Sequence, residues 1–379
     1  MSTHIMQKIR GSLLGLAWGD VLGCPVEYWS KDLIAKVYNN YGALPSEYPF
    51  SSIPKEDHIW RHLRPLGLHS DDTQQALTLI QVCLHPGGWK LERWVEYLLS
   101  GRRENAWRGT GRNFRGALDR LSRGISPLRC GSPSAGIGGA MRIAPLGAIY
   151  REDIGTLERV VFESTYTTHA DVRAVSLALS VAACCAMLIN GLSESAIRIE
   201  LPELIERFEE SLKHVDGVHI EDPSHCYAVS NTLREALEND WQNLEDFRSW
   251  LRESARSYIS DSGSLELLPN HPFVLLGGIH ALRAGLWPDS RPGELLVDVI
   301  QQGGDADTVG AITGAILGAR YGADWIPISQ LMDAPALSAY AESLISRNLP
   351  ESFDDFIARE SRLSLIERDF QLELLSWNF

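Results

Sequence analysis

Apolar residues recur at three- and four-residue steps along much of the chain, with charged residues between them. The pattern is clearest in "LPELIERFEESLKHV" (Leu201–Val215) and "NTLREALENDWQNLEDFRSWLRESARSYI" (Asn231–Ile259), and one face of an amphipathic helix requires such a period. Alternation of apolar and polar positions, the mark of a half-buried strand, is scarce, and no strand–helix–strand rhythm is visible. The run "AVSLALSVAACCAMLI" (Ala174–Ile189) is sixteen residues long. A membrane span needs roughly 20, so this run predicts a buried core helix. Breaks rich in Gly and Pro fall near Tyr41–Pro65, Gly124–Gly139, Glu221–Ser224 and Leu286–Gly293. Each is short or carries aromatic residues, so none predicts a domain linker. After Trp325 the pattern is again amphipathic and ends in "LSLIERDFQLELLSWNF". The expectation is an all-α protein with little or no β-sheet: one domain over residues 1–325, and a helical C-terminal extension over 326–379 packed on it.

Two segments depart from ordinary helix composition. In "GGDADTVGAITGAILGARYG" (Gly303–Gly322), Gly310, Gly314 and Gly318 fall on one helical face. Gly11, Gly15 and Gly19 do the same near the N-terminus, and Asp20 closes that set. An interior glycine costs a helix about 1 kcal/mol relative to alanine. The compensation is close approach, because a face without side chains lets another backbone come into contact. Tight packing with no functional consequence explains either stripe alone. Both stripes, however, abut acids, so helices crossing this closely would bring distant carboxylates together.

The acids form three clusters: Asp20 and Glu27 in "GDVLGCPVEY", Ser70–Thr73 in "HSDDTQQALTLI", and Asp305, Asp307 and Thr308 in "GGDADT". Ser, Thr and Asp at a helix start are ordinary N-caps, and capping accounts for either of the last two clusters taken singly. Both carry more carboxylate than a cap needs. Grouped acids raise one another's pKa unless a cation sits among them, and oxygen ligands with hydroxyls select Mg²⁺ or Mn²⁺ over zinc. The chain has no GxSxG elbow, HExxH pair or GxxxxGK[ST] phosphate loop. "DADT" matches the nucleophile motif of haloacid-dehalogenase-type phosphatases, but no buried strand precedes it.

Composition narrows the partners. A net charge of −14 argues against nucleic acid, whose backbone demands a basic surface. Between Arg102 and Arg129 eight arginines face only Glu104 and Asp119, which reads as a solvated helix face or an anion-facing rim. The six cysteines show no metal-binding spacing and suit reduced thiols in a cytoplasmic protein. "VLGC" at Cys24 imitates a lipoprotein cleavage box, but Asp20 interrupts the apolar stretch before it. Export and a membrane partner are therefore not expected.

"GSLLGLAWGDVLGCPVEY", "HSDDTQQALTL", "GGAMRIAPLGAIY", "TTHAD" and "GGDADTVGAITGAILGARYG" together, in this order, resemble the ADP-ribosylglycohydrolases, from about Gly11 to Gly322. That family includes the dinitrogenase-reductase-activating glycohydrolase and the ADP-ribosylarginine hydrolases. The resemblance implies an orthogonal multi-helix bundle with two Mg²⁺ or Mn²⁺ ions at the base of an ADP-ribose cleft. It implies Ser70, Asp71, Asp72, Asp305, Asp307 and Thr308 as metal ligands, and Glu27 as the glutamate of a mobile loop near them. It also implies an ADP-ribose site at Glu27, Gly136, Ile137, Gly138, Gly139, Met141 and His169. Two positions depart from the family pattern: Ser70 replaces a threonine, and Ile137 replaces an asparagine, which removes a side-chain amide.

The implied activity is metal-dependent hydrolysis of ADP-ribose from a mono-ADP-ribosylated protein side chain, arginine foremost, reversing an ADP-ribosyltransferase. Glu27 and Asp72 are the candidate acid/base groups. The alternative is an immunity-type protein that blocks an ADP-ribosyltransferase toxin, with Tyr41–Pro65 and Leu331–Phe379 available for docking.

Overall fold

A computed structural model describes residues 1–215, 218, 222–259, 267–288, 291–350 and 355–376. The chain forms an all-α bundle, and no β-sheet is present among the described residues. The helices that position the site are α1 (Thr3–Gly23), α2 (Asp71–Leu84), α3 (Leu91–Arg103), α4 (Val172–Ile189), α5 (Ala306–Tyr321), α6 (Ala334–Ser346) and α7 (Phe356–Ser376).

The two glycine stripes meet. Gly11, Gly15 and Gly19 of α1 face Gly318, Gly314 and Gly310 of α5, backbone to backbone, and Gly23 meets Ala306 and Asp307. A Cβ built on Gly310 would stand 2.5 Å from the Gly19 carbonyl oxygen, where no real Cβ fits. Most of the remaining residues of both helices are apolar and buried, from Leu13 to Leu22 apart from Asp20 on one side and from Val309 to Ala319 apart from Thr313 on the other. The seam therefore runs through the middle of the core, and its acidic end lies at Asp20 and Asp307.

Helix α4 satisfies by length and composition the requirement for a membrane span, but 89% of that window is buried inside the protein. It packs against α5 as a core helix. The continuous periodic run Asn231–Ile259 is two helices, Ala228–Glu238 and Leu244–Arg256. The interruption falls at "NDWQN", where the Asn243 side chain accepts from the N–H groups of Glu245 and Asp246, both at 2.9 Å. A good N-cap thus overrides uninterrupted periodicity. Leu201–Leu212 of the other periodic run lies in the helix Glu194–Leu212. Of the breaks and the C-terminal run read from sequence, Glu221, Asp289, Ser290 and Trp377–Phe379 lie outside the described residues.

Beyond residue 325, α6 packs on α1 and α7 packs on α3. All six cysteines are free and buried.

Candidate functional site

One cleft gathers residues from every motif. Its acidic wall carries Glu27, Asp71, Asp72, Asp305, Asp307 and Thr308, and Gly136, Ile137, Gly138, Met141 and His169 also line the cleft, Met141 beside Thr308. Tyr28, Gln75, Gly109, Gly111, Arg112, Asn113, Phe114 and Pro272 complete the lining. The cavity proper is about 150 Å³ and opens to solvent at its mouth.

Three isolated backbone bridges, Ser30–Gly303, Ser132–His169 and Gly136–Phe273, hold the loops around this cleft. The loop after Glu27 and the loop before Asp305 are stitched together: Tyr28 N–H donates to Gly304 O at 2.7 Å, and Gly304 N–H donates to Trp29 O at 2.8 Å. Gly303 and Gly304 both take positive φ (72° and 67°), and a Cβ on either would strike the Trp29 or Asn270 carbonyl. Only glycine satisfies both conditions. Asp305 N–H then donates to Asn270 O at 2.9 Å, which fixes where its carboxylate begins.

Asp20 plays a role that sequence reasoning did not assign. It sits at the end of the glycine stripe and accepts from Ser70 N–H (2.9 and 3.0 Å), Thr73 N–H (3.1 Å), the Thr73 hydroxyl (2.6 Å) and the Cys24 thiol (3.2 Å). It is a cap supplied from another helix, placed where the positive end of α2 favours it. Asp20, Cys24 and Asp307 bring potential ligand atoms within 4.8 Å of one another. Asp20's oxygens are already engaged, however, and burial pushes the Cys24 thiol up. Asp20 and Cys24 thus form a hydrogen-bonded anchor beneath Asp307 and the other acids.

Ser70 and Gly139 stand behind the cleft wall rather than on it. The Ser70 hydroxyl accepts from Asp72 N–H at 3.2 Å and donates to the Asp72 carboxylate at 2.8 Å. The sequence expected both capping and ligation of Ser70; the cap is made. Gly139 gives room to the Thr165 side chain. Asp71 is oriented by Gln75 one turn later (2.6 Å), and Gln75 is held by the buried Arg142 guanidinium. Arg142 also donates to Thr168 Oγ1 (2.8 Å), which bonds His169 Nδ1 (2.9 Å). Burial, with Arg142 beside it, lowers the His169 pKa to about 3, so this imidazole is neutral. Its edge lies against the Gly136–Gly138 loop, where a Cβ on Gly138 would come within 2.8 Å. Glu27 is held by the buried Arg64 at 2.8 Å, and His62 stands 3.7 Å away.

The arginine-rich stretch disperses. Arg112 lines the cleft, Arg102 pairs with Asp119, Arg120 donates to Cys130 O and Ser132 Oγ, and Arg108 turns inward to Glu360. Gln75 had a signal in the sequence, its one-turn spacing from Asp71. Arg64 and Arg142 had none, because each is a lone arginine whose partners are distant in the chain.

The acids are crowded out of water. Burial raises Asp71 and Asp305 to about 7, and it drives Asp72 and Asp307 well above the usual carboxylate range, with neighbouring acids adding to the effect. Asp72 Oδ1 is buried without any partner. A buried carboxylate oxygen normally finds a donor, and a hard cation answers both the orphan and the crowding. The donor set fits a divalent metal.

The profile of the ADP-ribosylglycohydrolase family matches residues 1–352. The chain belongs to this family. An ADP-ribosyl-dinitrogen reductase glycohydrolase of Rhodospirillum rubrum is 23% identical, covering 85% of this chain and 88% of its own. ADP-ribosylarginine hydrolase Tri1 of Serratia proteamaculans is 24% identical over 92% of this chain and 81% of its own. A solved structure titled ADP-ribosylglycohydrolase-related protein complex matches 92% of this chain and 100% of its own at 24% identity, with a TM-score of 0.64, which fixes the fold. This ADP-ribosylglycohydrolase is therefore a hydrolase of ADP-ribosylated substrates, in a family that is in general divalent-metal dependent.

Proposed function

We propose that the chain releases ADP-ribose from mono-ADP-ribosylated protein side chains, with arginine the first acceptor to test. The observation that carries this reading is the convergence of five buried carboxylates, from three distant segments, on one cleft with an unpartnered Asp72 oxygen. Asp71, Asp72, Asp305, Asp307 and Thr308 would hold a pair of Mg²⁺ or Mn²⁺ ions, with Ser70 supporting Asp72 from behind. When bound, such ions supply Lewis-acid polarisation of oxygen ligands.

The chain's own groups do the rest. The loop Gly136–Gly138, with Met141, receives the ADP-ribose, and its glycines let the diphosphate approach the backbone, while Gly139 supports the loop from behind. Neutral His169 offers that ligand an uncharged edge. Glu27 lies on the acidic wall with Arg64 behind it. It and Asp72 are the groups that take or give the proton as the glycosidic bond breaks. The name of the Serratia relative supports arginine as acceptor.

The test is incubation with mono-ADP-ribosylated arginine, serine and cysteine substrates in Mg²⁺ or in EDTA, beside the variant Asp305→Asn/Asp307→Asn. Release of ADP-ribose in Mg²⁺ only, abolished in the double variant, is expected. Release that persists in EDTA defeats the metal assignment, and no release from any of the three substrates defeats the reaction.

A further inference from the structure

Helix α7 lies beyond residue 352, where the family match ends, yet it is wired into the back of the cleft. Its polarity is unusual. Glu360, Ser364, Glu367 and Gln371 follow one another at steps of four, three and four along the inward face, beside Phe356, Leu363 and Leu374. Leu372 and Leu375, by contrast, are 58% and 68% exposed. A helix retained only for packing would put its leucines inside and its charges outside.

Each inward polar group reaches the segments that carry the site. Glu360, fully buried, accepts from Arg108 (2.9 Å) and Gln74 (3.0 Å) and meets His69 Nε2 at 3.3 Å. His69 precedes Ser70, and Gln74 lies in the first turn of α2, so this one carboxylate brackets Ser70–Asp72 from both sides. Arg108 closes the grip by donating to His69 O (2.7 Å), and its N–H donates to Gln74 Oε1 (3.1 Å). Ser364 donates to Ala106 O at 2.6 Å and accepts from Arg108 at 3.2 Å. One turn on, Glu367 stands 3.5 Å from Arg64, the arginine that holds Glu27. Gln371 donates to Leu63 O in the same loop.

We propose that α7 is a positioning element of the cleft, and that Glu360 sets the carboxylates of Asp71 and Asp72 for a divalent cation. The inference rests on the reading of those acids as cation ligands. Residues behind metal ligands commonly change metal affinity by about 10–100-fold when altered.

The experiment is calorimetric titration of Mn²⁺ into the full chain and three variants, with near-ultraviolet circular dichroism and Tm recorded for each. Glu360→Gln keeps the shape and one acceptor, and should weaken Mn²⁺ binding about tenfold or more. Ser364→Ala, a milder cut in the same grip, should weaken it a few-fold. Leu374→Ala removes buried apolar contact from α7 without touching the polar ladder. It should lower Tm at least as far as Ser364→Ala while leaving Mn²⁺ affinity within about twofold. Unchanged affinity in both Glu360→Gln and Ser364→Ala overturns the proposal. Equal weakening in Leu374→Ala and Glu360→Gln also overturns it, because α7 would then act through general stability. A wild-type chain that binds no Mn²⁺ sinks the cation reading itself, an outcome visible before any variant is measured.

Discussion

Replacing Gly310 by alanine tests the seam between α1 and α5 directly. In an isolated helix the change is favourable by about 1 kcal/mol. In the bundle the new Cβ would lie 2.5 Å from Gly19 O, 3.1 Å from Gly19 C and 3.3 Å from Ile300 Cγ1, where ordinary contact begins at 3.4 Å. The obstruction is a backbone carbonyl that no rotamer can move, so the helices must part by about 0.9 Å. Overpacking of this kind costs roughly 1–3 kcal/mol or more, and parting also opens the contacts at Gly15–Gly314. The net expectation for Gly310→Ala is a loss of about 2 kcal/mol in urea denaturation, set against a gain for Gly116→Ala. Gly116 sits in the helix Arg112–Ser122, and its added Cβ would meet only the Arg120 guanidinium, whose Nη1 at 3.3 Å needs to yield about 0.1 Å to reach ordinary contact. Asp307 lies one turn before Gly310 and Asp20 next to Gly19, so Gly310→Ala should also weaken Mn²⁺ binding. A Gly310→Ala protein as stable as Gly116→Ala would refute the close-approach reasoning.

Three further outcomes are expected. Asp71 and Asp305 titrate near 7 when folded against 3.8 ordinarily. The folded chain thus retains protons that the unfolded chain has lost, and this cluster's contribution to stability falls as pH rises from about 4 to 7 without metal. Cation binding displaces those protons, so the rise in Tm on adding Mn²⁺ should be small at pH 5 and large at pH 8; equal shifts would contradict the crowding of the acids. Arg64→Met leaves Glu27 buried without its partner and should cost about 3–5 kcal/mol; adding Glu27→Gln should recover a large part of that, and a double variant no more stable than the single would deny that the pair matters. Burial raises Glu209 to about 7, so by the same sign the wild type loses stability relative to Glu209→Gln as pH climbs from about 4.5 to 7. Parallel pH curves for the two proteins would count against a buried Glu209 carboxyl.

What could be read from the chain alone follows from how local each signal is. The glycine stripes were legible because repetition at four-residue steps on two segments is improbable without a close partner. Asp71, Asp72, Asp305 and Asp307 were legible because paired acids exceed the needs of a cap. Asp20 stood out beside its glycines, but its role as the cap of α2 depended on a contact fifty positions away, which no pattern records. Arg64 and Arg142 were invisible for the same reason: a buried arginine is defined by its partners, and those partners lie on other helices. The break at Asn239–Asn243 was hidden because apolar spacing continued across it while a local cap decided the outcome. In α7 the period was plain, but which face would be inward was not, since the buried side mixes Glu360 and Ser364 with Leu363 and Leu374 while Leu372 and Leu375 lie open.

The α1–α5 seam also sets an order of events during synthesis. Helix α1 leaves the ribosome before α5, its backbone-to-backbone partner, which follows roughly 280 residues later, about 15–60 s at ordinary elongation rates. Throughout that interval a glycine-striped, otherwise apolar helix must wait with its flank uncovered. The bundle can close, and the acids can meet, only when the far segment emerges; nascent chains of this protein should therefore lean on chaperones until α5 has emerged.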